Sequence, residues 1–295
     1  MSSHRFASIP FALLAVLLAP LWAQAATPPA PTGKRALAEA RALADQVKGS
    51  SGPERNAALE AAARSFMQVA ETFQADVGVA AEASFEAGEL WRRRGTLTDA
   101  EPCYRKALSL DPARYDARAS FEIAHIARRT RRFDEACELY GKVAGLQPTS
   151  ARAQSAREWI GRTYQTAGRG PEALVAFRAA LDQASNPGAV ISAADWLVKA
   201  QVGVGDLTAA RTTLAEIETR LAKDADGDSP AAARVRDALA GMSARRMLQR
   251  ASDKKSDAAG DAIEVEGSEA EGSGTEGRGT EGSGSGRTGG GRRGK

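Results

Sequence analysis

Few residues in this 295-residue chain are of the types that perform acid–base or nucleophilic catalysis. His4 lies in an N-terminal segment with the features of a leader, which leaves His125 as the histidine of the mature chain. One histidine cannot build the usual metal cluster, and a Ser–His–Asp triad would have to use it. Its place between Ala124 and Ile126, in a helical pattern, favours a packing or groove-lining role over that of a catalytic base. We therefore expect no enzyme activity and no cofactor.

The two cysteines, Cys103 and Cys137, are 34 residues apart in the sequence. They take nearly the same place in successive helices of a repeated pattern. Such helices are separated by about a helix diameter, which is too far for ideal disulfide geometry. We favour free thiols over a bridge, and two thiols without histidine partners are weak evidence for zinc.

Three acidic residues, Asp224, Asp226 and Asp228, begin like a calcium-binding loop. The match then fails, because Ser229 stands where an EF-hand loop has glycine and Val235 stands where it has a bidentate glutamate. An acidic connection before the last helix is the favoured interpretation, and we expect no metal site.

Rows of arginine are the most prominent polar feature, with Arg92–Arg94, Arg128–Arg129 and Arg131–Arg132 near the ends of predicted helices. Arginine suits bidentate carboxylate recognition. The alternative is a solvated helix edge. The formal net charge is only +3, which argues against a general nucleic-acid binder.

The elements that carry these residues repeat every 36 or 37 residues. Each repeat has a small residue, a large one four positions later and an apolar one three after that, on one helix face. A partner helix with small residues such as Gly88 and Gly161 precedes it, and Gly95, Gly168 and Gly205 lie between the two helices. Arg131 takes that place in the second repeat. The segments are Ala100-x3-Tyr104-x2-Ala107, Ala136-x3-Tyr140-x2-Val143, Ala173-x3-Phe177-x2-Ala180 and Ala210-x3-Leu214-x2-Ile217.

This pattern resembles the tetratricopeptide-repeat (TPR) family, with Gly161, Ala173, Phe177 and Ala180 as the best match. The resemblance implies an all-α solenoid of helix hairpins, an α-α superhelix, that binds proteins through a concave groove. In the register of that family, eight residues line the groove. They are Phe85, Glu89, Arg92, Phe121, His125, Arg128, Glu158 and Arg162.

The chain divides into segments of different composition. We predict a signal peptide over 1–25, because an apolar run ends at Ala23-Gln24-Ala25, and the interrupted run is short for a membrane span. A proline-rich spacer over 26–33, a helical pair over 34–80 and repeats over 81–114, 117–150, 154–187 and 191–224 follow. A capping helix over 229–250 precedes a tail, 252–295, which we predict to be disordered because it cannot build a core.

Taken together, these features favour an exported scaffold or adaptor in the bacterial periplasm or cell envelope. Its partner is a protein or peptide, with acidic residues or a free C-terminus as the chemistry that the groove fits. The tail is a candidate for weak envelope association. A purely structural envelope protein and an enzyme with an unrecognised site are the alternatives.

Overall fold

The computed structural model describes residues 32–270, with side chains as far as 256. Within that range the chain forms helices and no strand. The predicted all-α helix-hairpin solenoid is confirmed. The helices are α1 (Gly33–Gln46), α2 (Gly52–Thr72), α3 (Val77–Arg94), α4 (Leu97–Leu110), α5 (Pro112–Arg129), α6 (Phe133–Leu146), α7 (Ala151–Thr166), α8 (Gly170–Asp182), α9 (Pro187–Gly203), α10 (Leu207–Leu221), α11 (Pro230–Gly241) and α12 (Ser243–Ala270), and a short 3-10 helix (Val47–Gly49) follows α1.

The two ends differ from the sequence-based boundaries. The predicted signal peptide lies outside the described residues, as does the tail beyond 270. The single capping helix expected over 229–250 is two helices, because the backbone turns extended at Met242, with ψ 124°. Disorder was expected from 252, whereas α12 continues to Ala270. Alanine and charged residues, which favour helix, persist there as far as Glu264.

The described chain divides into two compact units within α7, between Trp159 and Ile160. Unit 1 packs its helices around alanines and large side chains such as Phe66 and Tyr104, both buried. Unit 2 has its own core, in which Phe177 and Ile217 are fully buried. In both units small residues let neighbouring helices approach, and ring or aliphatic side chains fill the space beside them.

Two glycines show how close the helices of a hairpin come. A Cβ atom placed on Gly88 would lie 2.9 Å from the Tyr104 ring in unit 1. One placed on Gly161 would lie 2.5 Å from the Phe177 ring in unit 2. Neither position therefore admits a larger residue without displacement of a buried ring.

The turn between the two helices of each repeat hairpin uses a left-handed residue. Its φ is 93° at Gly95, 76° at Gly168 and 82° at Gly205. Arg131 adopts the same conformation in the second repeat, with φ 64°. The backbone thus requires a glycine-like conformation there whatever residue is present, and arginine is strained in it.

Candidate functional site

The first helices of the repeats in unit 1 carry most of the predicted groove residues. We call the surface formed by α3, α5 and α7 up to Trp159 the first-helix face. Seven of the eight predicted residues lie on these segments: Phe85, Glu89, Arg92, Phe121, His125, Arg128 and Glu158. Arg162 belongs to unit 2, where its guanidinium lies 4.4 Å from the centroid of the Trp196 ring.

Phe85 is not an open apolar contact on this face. Its side chain is only 4% exposed, and its ring stacks on Tyr115 at a centroid distance of 5.1 Å. The guanidinium of Arg118 covers the ring at 4.3 Å. The predicted groove residue Phe85 is thus a buried packing residue, because the next first helix, α5, supplies both covering groups.

Arg92 is held by carboxylates of its own chain. It bonds Glu89 at 2.7 Å on α3 and pairs with Glu122 of α5 at 3.3 Å. The hydroxyl of Tyr104 donates to Glu89 at 2.6 Å and accepts from Arg92 at 3.3 Å. Two carboxylates of the chain thus already pair with this one guanidinium.

The pKa directions agree with this arrangement. The bond to Glu89 raises the pKa of Arg92 despite its partial burial. Burial raises the pKa of Glu122, and Arg92 only partly offsets that effect. Burial, followed by the bond to Glu89, raises the pKa of Tyr104. Glu122 was missed in the sequence because its partner lies 30 residues away on another helix.

A cluster of rings occupies the neighbouring part of the first-helix face. The His125 ring meets Phe121 and Trp159 edge-on, each at a centroid distance of 4.6 Å. Its Nδ1 atom is 2.7 Å from the hydroxyl of Tyr140, which is fully buried. Phe121, His125 and Trp159 are only partly buried. His125 thus packs at the edge of the core. The rings of Phe121, His125 and Trp159 leave apolar surface exposed.

Arg128 differs from Arg92 in its surroundings. Its guanidinium lies over the Trp159 ring, 4.6 Å from the centroid. Its Nε atom is buried and meets no acceptor among the described side chains and backbone. When a guanidinium lies over an indole, its N–H groups point outward in the plane of the guanidinium. In that plane two of them can bond one carboxylate. Trp159 was missed in the sequence, although it is adjacent to the predicted Glu158.

The hairpin that carries Arg128, formed by α5 and α6, is also the part of the chain that matches a known protein family. Residues 117–150, which include most of α5 and all of α6, match the family model of the tetratricopeptide repeat. This hairpin is a tetratricopeptide repeat. The recognition of the TPR family is confirmed, and the matched residues coincide with the predicted second repeat. TPR hairpins are scaffolds for protein–protein interaction.

Solved structures with the same kind of fold are distant. A putative kinesin light chain TPR-like repeat protein of Podosopora anserina has 15% identity and a TM-score of 0.48, over 65% of this chain and 97% of that one. BtubC from P. vanneervenii has 19% identity and a TM-score of 0.46, over 67% and 92%. MamA from Desulfovibrio magneticus RS-1 has 18% and 0.45, over 64% and 98%. A search of curated proteins finds no significant match.

The remaining chemical candidates of the sequence do not assemble into a site. Cys103 is a buried thiol that is not bridged to Cys137, and burial raises its pKa to about 11. In the acidic loop, Arg236 donates to the carbonyls of Ala225 and Gly227 at 2.6 and 2.7 Å. The chain's own cation thus bonds two carbonyls of this loop. Within the described part of the chain no group of acidic, histidine or cysteine side chains is arranged for a metal.

No helix among the described residues is long and apolar enough to cross a bilayer.

Proposed function

We propose that this protein is an exported TPR scaffold whose first-helix face in unit 1 binds a carboxylate-bearing segment of a protein partner. The proposal rests on the surroundings of Arg128. Its buried Nε atom lacks an acceptor among the described residues, and it forms no ion pair there. A buried donor without a partner costs about 1–3 kcal/mol, and a bound carboxylate relieves that cost.

The rings around Arg128 define what else the segment contains. Phe121, His125 and Trp159 form a partly exposed patch next to the guanidinium. An apolar side chain on this patch would exclude water from the Arg128–carboxylate bond. Charge-assisted bonds of this kind contribute about 1.5–3 kcal/mol. We therefore expect an acidic side chain or a C-terminal carboxylate next to an apolar residue.

Arg92, the other predicted carboxylate ligand, has a structural role in this proposal. Removing it would leave Glu89 and Glu122 without the cation that they share. Loss of one partner of a partly buried pair destabilises the fold by more than the pair itself contributes. A change at Arg92 would thus weaken binding through unfolding, which makes Arg128 the informative position.

The test starts with partners recovered by crosslinking from the envelope fraction, followed by calorimetry with a partner peptide. The peptide is measured with a free carboxylate and as the amide. Arg128→Ala should weaken binding of the acid by about tenfold or more, since 1.4 kcal/mol is tenfold. It should leave binding of the amide nearly unchanged. Arg128→Lys keeps the charge but loses the bidentate geometry, and should fall between the two.

Arg129→Ala is the matched control, because Arg129 is the next residue of α5 and is exposed. It removes the same charge from the same helix turn. Equal losses for Arg128→Ala and Arg129→Ala would mean that only long-range charge matters, and would refute the proposed contact.

The proposed location in the periplasm or cell envelope is supported by the leader pattern of residues 1–25. Mass spectrometry of the protein from its native host tests it. We expect a mature chain that begins at Ala26, whereas a chain that begins at Met1 would contradict export by this route.

A further inference from the structure

A second candidate site lies between α8 and α10, the second helices of the two unit 2 hairpins. A cleft of about 830 Å³ opens between α8 and α10, and α9 forms its floor. We call it the α8–α10 cleft. Its walls include Leu174 and Val175, and Val175 is 71% exposed. This volume lies in the range of sites that bury ligands or large side chains.

The residue that α9 places at the floor of this cleft has a counterpart in the first hairpin of unit 1. The residue after each left-handed turn donates its N–H to the carbonyl of a residue near the end of the first helix. Thr96 donates to Trp91 in unit 1, and Asp206 donates to Gln201 in unit 2. Trp91 and Gln201 therefore occupy the same position of the hairpin.

At this position the first hairpin of unit 1 places a ring, whereas the second places Ala127, whose carbonyl accepts from the Arg132 N–H. Trp91 is 5% exposed, and its indole N–H donates to the sulfur of Met67 on α2 at 3.4 Å. The space left between α2 and α4 next to that ring is about 340 Å³. In unit 2 the cleft is larger, and the shorter, polar Gln201 stands where Trp91 stands in the first hairpin.

Gln201 also leaves an unpaired polar atom in the cleft. Its Oε1 atom is buried and has no hydrogen-bond partner among the described residues. A buried acceptor without a donor is uncommon in folded proteins and marks a place where a ligand group can bond. An indole N–H or a phenol O–H entering the cleft would supply that donor.

The rim of the cleft is acidic. Arg178 bonds Glu216 at 2.7 Å across the opening and Asp182 at 3.4 Å on its own helix, so two carboxylates share one cation. Asp206 adds a third carboxylate at the end of the cleft. The net charge of these four residues is negative, which favours a cationic group next to the entering ring.

We propose that the α8–α10 cleft binds an aromatic side chain of a protein partner that lies beside a lysine or arginine. The ring takes the place that Trp91 holds in unit 1, its polar hydrogen bonds Gln201, and the cation pairs with the rim. This surface is separate from the first-helix face of unit 1 and does not depend on it. The chain's own residues 271–295 are not suitable occupants, because they include no apolar side chain.

Two small probes test the chemistry on the full chain. Tryptophanamide carries an indole and an ammonium group, and N-acetyltryptophan carries an indole and a carboxylate. In ¹⁵N NMR titrations we expect saturable shifts of α8 and α10 amides with tryptophanamide. We expect affinity for N-acetyltryptophan to be lower by about threefold or more, as for one or two partly exposed charge pairs. No saturable shift with tryptophanamide, or equal affinity for both probes, would overturn the proposal.

Matched variants then locate the site. Gln201→Trp restores the ring of unit 1 and should abolish the α8 and α10 shifts. Gln249→Trp makes the same change at an exposed position of α12 and should leave the α8 and α10 shifts unchanged. Ala179→Leu fills the cleft from an exposed wall position, and it serves the same purpose if Gln201→Trp does not fold. Undiminished tryptophanamide binding in a folded, cleft-filled variant would refute the assignment.

Discussion

Gly161→Ala is the substitution for which the structure makes the sharpest prediction, because two effects of opposite sign compete. In an open helix position, alanine in place of glycine stabilises by about 1 kcal/mol. At Gly161, however, the new Cβ atom would lie 2.5 Å from the Phe177 ring. Phe177 is fully buried, so its ring has no free space to enter.

The magnitude follows from this overlap. An ordinary contact between two carbon atoms is about 3.5–4.0 Å. The ring or the helix must therefore move by about 1 Å, and overpacking of this kind typically costs about 1–3 kcal/mol. We expect Gly161→Ala to lower the free energy of unfolding by about that amount, measured by urea denaturation followed by circular dichroism. Gly161→Leu should lower it further.

Gly141 provides the control. It lies within α6, and a Cβ atom there would meet nothing within 4 Å. Gly141→Ala should therefore stabilise by about 1 kcal/mol or slightly less. Phe177→Leu should also be less harmful in the Gly161→Ala background than alone, as a double-mutant cycle would show. If Gly161→Ala stabilises the protein as much as Gly141→Ala does, the contact between α7 and α8 does not require glycine at position 161, and the prediction is refuted.

Three further predictions concern other parts of the chain. Arg131→Gly should raise the free energy of unfolding by about 1 kcal/mol, since φ is 64° there, and Gly168→Ala at the matching turn should lower it. Asp195 accepts from the Ala244 N–H at 2.8 Å, and although burial opposes its ionisation, bonds from Lys199 and Ala244 lower its pKa. Its contribution should be complete above its unfolded pKa of about 3.9 and be lost as pH falls through the lower folded value, so Asp195→Asn should reduce the pH dependence of stability in acid titrations. Removal of 252–295 should leave the urea midpoint nearly unchanged, because no described side chain beyond 251 is buried, and a large drop would refute this.

The all-helical fold and its repeats could be read from the sequence because they rest on local spacing. A small residue and a ring, as at Gly161 and Phe177, recur at a fixed interval in the first three hairpins, and closely packed helices satisfy that pattern. The left-handed turns were also visible, since three of the four positions are glycine. Even the exception, Arg131, follows the backbone that the repeat requires.

The predicted groove shows where this reasoning ended. Repeat register correctly placed Arg92 and Arg128 on first helices at equivalent positions, and treated them as equivalent ligands. The structure separates them, because Glu122 pairs with the first and Trp159 stacks on the second. Those partners belong to the next hairpin, about 30 residues on, and their approach depends on how successive hairpins pack.

The same limit applies to Phe85 and Gln201. The sequence alone marked Phe85 as an aromatic on the binding side, but only packing shows that Arg118 covers it. In the fourth repeat, only the structure shows that Gln201 lines a cleft and that its Oε1 atom has no partner among the described residues. Local sequence thus determined which helices form and which faces they bury, because those depend on short-range spacing. Tertiary structure alone decided which charges and rings remain available to a partner, because that depends on contacts between hairpins.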